Sequence, residues 1–145
     1  MDWSRSITLL VILLAVSVAR AEGNQFFCVA EELVGFAYSP AQGWHASQFN
    51  AEDKKFVLRK LQKGELGFDE DKEIYGFFEL GADSTLDFCE IEGEGSPIRC
   101  SSFMGETIFE LGSGRFIRTY TFGYWVGGNE GSDTPYIMRG RCSKI

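Results

Sequence analysis

Arg115-Phe116-Ile117-Arg118-Thr119-Tyr120-Thr121-Phe122-Gly123-Tyr124-Trp125-Val126-Gly127-Gly128 alternates with a period of two. Phe116, Arg118, Tyr120, Phe122 and Tyr124 fall on one side of an extended chain, and Ile117, Thr119, Thr121, Gly123 and Trp125 on the other. Successive strand side chains point to opposite faces, so the pattern predicts one long, aromatic, half-buried β-strand. Upstream of it, residues 106–111 lead through Gly112-Ser113, which suits a two-residue type II′ turn. That hairpin sets Glu110 opposite Arg115, Phe109 opposite Phe116 and Ile108 opposite Ile117. Each such charge-paired or apolar match is worth about 0.2–1 kcal/mol, and a slip of one residue loses all of them.

Shorter runs of the same kind fill the rest of the chain. Residues 26–30 read as an apolar strand that Glu31-Glu32 interrupts, and residues 34–38 resume extended character. Ser39-Pro40-Ala41-Gln42-Gly43 is a turn, with proline fixing φ early and glycine permitting a positive φ late. Residues 44–49 return as the partner strand. Asn50-Ala51-Glu52-Asp53 is too short for a secure helix and reads as a capped turn or a tight connection. Residues 54–61, 73–80, 86–92, 97–103 and 135–142 are further strands, separated by glycine-bearing loops. Short strands at regular intervals predict an all-β fold, a small antiparallel barrel or sandwich of about eight or nine strands.

The first 21 residues stand apart. Arg5 gives a basic start, residues 7–18 are almost wholly apolar, and Ala19-Arg20-Ala21 carries small residues where a signal peptidase reads. The run falls short of the ~20 residues a membrane span needs. The sequence therefore predicts a secretory signal peptide over 1–21 and a single domain over 22–145, secreted or periplasmic, with no integral span once the leader is removed. The whole chain has a formal net charge of −7. Losing Asp2, Arg5 and Arg20 with the leader removes one net positive charge and leaves −8. Such an acidic surface repels phosphate backbones and anionic lipid, which argues against nucleic acid as a partner and in favour of a basic one.

The four cysteines, Cys28, Cys89, Cys100 and Cys142, all follow the leader. An even number in an exported chain implies disulfides. Of the possible pairings, Cys89–Cys100 closes a local hairpin and Cys28–Cys142 ties the start of the domain to its end. The second bond suits a sheet whose first and last strands are neighbours. No Cys-x-x-Cys pair occurs and the only histidine is His45, so no zinc site or other metal cofactor is expected.

Several landmarks recur together: Cys28 followed by Gly35-Phe36-Ala37-Tyr38, then Trp44, Phe49-Asn50 and Lys55-Phe56-Val57. Farther on come Tyr120-Thr121-Phe122-Gly123-Tyr124-Trp125, Asp133-Thr134-Pro135 and Gly140-Arg141-Cys142. Over nearly the whole of 22–145 this arrangement resembles a family of small secreted bacterial proteins of unknown function. The resemblance implies an exported or periplasmic bacterial protein and brings no catalytic residues with it.

Candidate chemistry is sparse. No Gly-x-Ser-x-Gly elbow accompanies His45, and paired cysteines are not nucleophiles. The acidic residues Asp69-Glu70-Asp71, and Asn129, Glu130 and Asp133, offer oxygen ligands but lack the spacing of a calcium loop. Arg118 shares a face with four aromatic residues. If that face lines the interior, its guanidinium requires a partner, either an internal carboxylate or an anionic ligand. Trp44, Tyr124 and Trp125 can form an exposed aromatic platform or belong to the core. The expected ligand-binding set is therefore Trp44, Arg118, Tyr124 and Trp125. The function expected is a non-enzymatic binding module for a cell-wall carbohydrate, a small molecule or a basic protein such as a lysozyme. A small hydrolase working through two carboxylates, or a structural envelope protein, is the alternative.

Overall fold

The computed structural model describes residues 24–91, 93, 96–126, 128–129, 131 and 133–145. The leader read at residues 1–21 lies outside them. Alternating hydrophobic residues and glycine-bearing turns build one antiparallel sheet of nine strands. These are β1 (Phe26–Ser39), β2 (Gly43–Phe49), β3 (Lys55–Lys60), β4 (Tyr75–Glu79), β5 (Thr85–Glu90), β6 (Ile98–Ser101), β7 (Gly105–Glu110), β8 (Arg115–Tyr120) and β9 (Tyr136–Lys144). Their order is β2-β1-β3-β4-β5-β6-β7-β8-β9, and β1 also pairs with β9. The ring therefore closes through β1 and β3 to β9, a barrel of eight strands, and β2 stands outside it as an extra strand on β1. Among the described residues there is no α-helix, only a 3-10 turn at Tyr124–Val126.

The period of two explains why the lumen is full. Phe56, Leu58, Phe109, Phe116 and Met138 alternate with exposed or half-exposed neighbours, and all are buried together with Phe77 of the almost wholly buried strand β4. Phe56 stacks on Phe77 with centroids 4.8 Å apart, and Phe116 meets Phe56 edge-on at 6.2 Å. An eight-stranded barrel has an interior just wide enough for such side chains to fill. Both expected disulfides are present, Cys28–Cys142 and Cys89–Cys100. Each joins residues directly opposite one another on neighbouring strands, and they belong to the same buried core.

The hairpin β7–β8 has the expected register, with Glu110 opposite Arg115, Phe109 opposite Phe116 and Ile108 opposite Ile117. Its turn differs from expectation. It spans residues 111–114, and the left-handed backbone is at Gly114 (φ 66°), whereas a type II′ turn would need it at Gly112.

Two strand boundaries also differ. β8 stops at Tyr120 rather than running on to residue 128. Gly123 takes a φ of 95°, which favours glycine, and its backbone packs so closely on the Asp133 carbonyl that a side chain would overlap it. The chain turns there, and alternation beyond Thr121 no longer means alternate faces. Conversely, residues 26–39 form one strand where two were expected. Glu31 is an extra residue between the β9 partners of Ala30 and Glu32. A bulge of this kind bends a strand without ending it. Glu31 and Glu32 point outward and meet Arg139 and Arg141 of β9 at 2.9–3.2 Å. Residues 50–53 form a tight connection, in which the Asn50 side chain accepts from the Glu52 amide at 2.9 Å.

Candidate functional site

Arg118 enters the barrel from β8 and is buried there. Its partner is Asp87 on β5, which is fully buried. Nε donates to Asp87 Oδ2 at 3.1 Å and Nη2 to Oδ1 at 3.3 Å. The same carboxylate accepts from Ser102 Oγ and from Thr107 Oγ1, each at 2.7 Å. No buried side-chain nitrogen or oxygen among the described residues lacks a partner. The guanidinium charge is thus compensated inside the protein, and the lumen holds rings and disulfides where an anionic ligand would have to sit. Asp87 is the one buried carboxylate among the described residues.

A third bond leads from Arg118 toward the surface. Nη1 donates to the Tyr136 hydroxyl at 2.6 Å. Tyr136 stacks on Tyr120, with centroids 5.3 Å apart and planes 18° from parallel. The Tyr120 hydroxyl in turn donates to Asp133. Burial, reinforced by that neighbouring carboxylate, pushes the Tyr120 hydroxyl up to about 12. Burial also raises the Tyr136 hydroxyl above its ordinary value. Both phenols stay neutral at physiological pH.

These two tyrosines line a groove of about 630 Å³ on the outside of the β8–β9–β1–β2 sheet. Register explains its apolar character. Thr119, Ile137, Val34 and Gln48 are opposite one another across the strands, and Phe36 and Ala46 form a neighbouring pair. Val34, Phe36 and Ile137 are each about half exposed, at 45%, 53% and 49%. Pro135 completes the apolar lining.

Aromatic side chains stand exposed on the loop after β8 and half-buried at the hairpin β1–β2. Trp44 donates its indole N–H to Asn129 Oδ1 at 3.0 Å. Tyr124 meets the Trp44 ring edge-on at 5.4 Å, and the Tyr38 ring lies 5.7 Å from it. Trp125 does not join them. It packs on Phe122 at 5.4 Å and approaches Phe103 at 6.4 Å. Tyr124 and Trp125 are each 60% exposed and Phe103 is 82% exposed. Of the expected set, then, Trp44 and Tyr124 meet, Trp125 belongs to an adjoining cluster, and Arg118 lies buried behind Tyr136. Val34, Phe36 and Ile137 were not foreseen. Their alternation was visible, but nothing in the sequence said which face of those strands looks outward.

The other candidates are engaged locally. His45 Nδ1 lies 3.1 Å from the Gly43 carbonyl oxygen. Glu70 pairs with Lys63 at 2.8 Å, and Asp69 accepts from the Asp71 amide at 2.9 Å. Asn129 and Asp133 hold Trp44 and Tyr120. Among the described residues, no three His, Cys, Asp or Glu side chains are grouped to hold a metal ion, and no helix is long and apolar enough to cross a membrane. Comparison of the chain with protein-family models, with curated proteins and with solved structures found no match.

Proposed function

We propose that this protein is an exported, non-enzymatic binding module that takes its ligand on the outer surface of the barrel. The signal-peptide pattern at residues 1–21 and the two disulfides support export to an oxidising compartment. The resemblance to small secreted bacterial proteins points the same way. One observation carries the reading: the buried Arg118 charge in the lumen is neutralised by Asp87, whereas the apolar groove and its aromatic surroundings are open. Grooves with mainly apolar walls and a few polar groups are the usual form of a ligand site.

The ligand class that fits best is a basic protein presenting an apolar segment. Val34, Phe36, Pro135 and Ile137 offer apolar contact and few hydrogen bonds, which suits a protein surface better than a sugar ring. The acidic chain would steer a basic partner toward it. Aromatic residues are the usual energetic anchors of such interfaces.

The test is surface-immobilised binding of the oxidised chain to a panel of basic proteins, lysozyme included, beside a glycan array. Phe36→Ser and Tyr124→Ala are expected to weaken binding of a basic protein by at least about tenfold, the scale of one lost anchor. Retention on glycans alone would move the reading to the carbohydrate class. No retention on either, or binding indifferent to both substitutions, would defeat it.

A further inference from the structure

Two loops meet at one end of the barrel, and neither carries a charge. The first is the turn between β6 and β7, and the second is the loop after β8. Charged residues make up 24% of the chain, yet residues 100–105 and 119–129 contain none. The charges that flank them on the strands are held in pairs, Arg99 with Glu106 at 3.4 Å and Arg118 with Asp87.

Register brings the loops together. Gly105 at the start of β7 is opposite Tyr120 at the end of β8, so both loops leave the same rim. The Phe103 ring lies 5.8 Å from Phe122 and 6.4 Å from Trp125. Phe103, Met104, Trp125 and Val126 are all exposed, Phe103 the most of the four. Contiguous exposed apolar side chains mark a contact with protein or membrane. These form a projection rather than a groove. A protein partner would need a cavity shaped to receive it, whereas a fluid bilayer closes around any such tip.

The backbone of the tip suits lipid as well. Unsatisfied peptide groups are what keep irregular loops out of an apolar phase. Here the Ser102 amide donates to the Gly105 carbonyl at 2.9 Å, and the Met104 amide to Ser102 Oγ at 3.4 Å. The Val126 amide donates to the Gly123 carbonyl at 3.2 Å. The Thr121 amide donates to the Met104 carbonyl at 3.0 Å, which ties one loop to the other. Tryptophan and tyrosine favour the headgroup level of a membrane, and Trp125 follows Tyr124 in the second loop.

We propose that this tip inserts into the interfacial layer of a lipid bilayer with zwitterionic headgroups, Phe103 and Trp125 foremost. The lipid class follows from charge. The chain has a net charge of −7, so anionic headgroups repel it, and the tip has no cation with which to hold them. The attachment is peripheral, a few side chains reaching the acyl boundary and no segment crossing it. The inference does not depend on the groove, which other residues line.

Flotation of the disulfide-bonded chain with phosphatidylcholine vesicles tests it. The wild type is expected to float with them at low and high salt alike, since apolar insertion is not screened, and less well as phosphatidylglycerol replaces part of the lipid. Phe103→Ser, a change outside the core, is expected to weaken partitioning by about tenfold. Lipid brominated on its acyl chains is expected to quench the tryptophan emission of the wild type, and Trp125→Phe is expected to lose most of that quenching. A wild type that does not float overturns the proposal, also where the tip instead binds a soluble protein. Flotation that vanishes at high salt or ignores Phe103→Ser, or quenching that survives in Trp125→Phe, overturns it as well.

Discussion

Arg118 and Asp87 form a bidentate ion pair inside the barrel, with side chains 3% and 0% exposed. Three hydroxyls meet the pair: Ser102 and Thr107 donate to Asp87, and Tyr136 accepts from Arg118. It connects β5, β7, β8 and β9 from the inside. A buried pair of this type gains little over a well-packed apolar substitute, but removing one partner strands the other charge.

Asp87→Asn or Arg118→Met alone is therefore expected to cost about 3–5 kcal/mol. The double variant is expected to cost less than the two single losses added together, since neither leaves an uncompensated charge. It does not return to the wild-type value, because the asparagine amide offers one acceptor oxygen where the Asp87 carboxylate offered one each to the Ser102 and Thr107 hydroxyls. Urea unfolding of the four proteins, arranged as a double-mutant cycle, measures the coupling. Strictly additive losses would show that the pair does not act as a unit.

The two disulfides are expected to differ in worth. Their sequence separations are 114 and 11 residues. On the chain-entropy account, the constraint is worth about 5 kcal/mol for Cys28–Cys142 and about 3 kcal/mol for Cys89–Cys100 at 25 °C. The longer link also spans the β1–β9 pairing that closes the ring. Denaturant midpoints of the two double Cys→Ala variants are expected to fall in that order, the variant lacking Cys28–Cys142 being the weaker.

Alkaline pH is expected to destabilise the protein through Tyr120. Burial and the Asp133 carboxylate push its hydroxyl up to about 12 in the folded state, above the ordinary value of 10.0. Between those values the unfolded chain has lost its proton and the folded chain has kept it. Stability from this group is fully present below pH 10 and declines as pH rises toward 12. Tyr120→Phe is expected to flatten that part of the stability–pH curve and to remove the latest-titrating component of the tyrosinate absorbance. An unchanged alkaline slope in Tyr120→Phe would refute the assignment.

Much of this architecture was legible from residue order. Charge and size matched only one register in β7–β8, and the glycine-rich turn between Cys89 and Cys100 favoured a hairpin bond among the three possible pairings. The end of β8 was not legible, since Phe122 and Tyr124 keep the alternation going after Gly123 has turned the backbone. β1 was misread as two strands because Glu31-Glu32 looks like a break. Its carboxylates are tolerated by facing outward onto arginines that are distant in sequence. The partner of Arg118 was recoverable. Asp87 shares strand parity with Cys89, and a cross-strand disulfide on the inner face would have turned Asp87 inward too. The groove was not recoverable, because it arises where β1 outgrows β3 and carries β2 past the ring.

The seam between β1 and β9 has a consequence for biogenesis. The first strand pairs early with β2 and β3, but the ring closes only through its pairing with the last, so it stays open until the C-terminal strand is in place. Pairings this distant along the chain are slow to form. The polypeptide consequently completes its ring only once its final strand is available. The Cys28–Cys142 bond then works as a late latch on the closed ring.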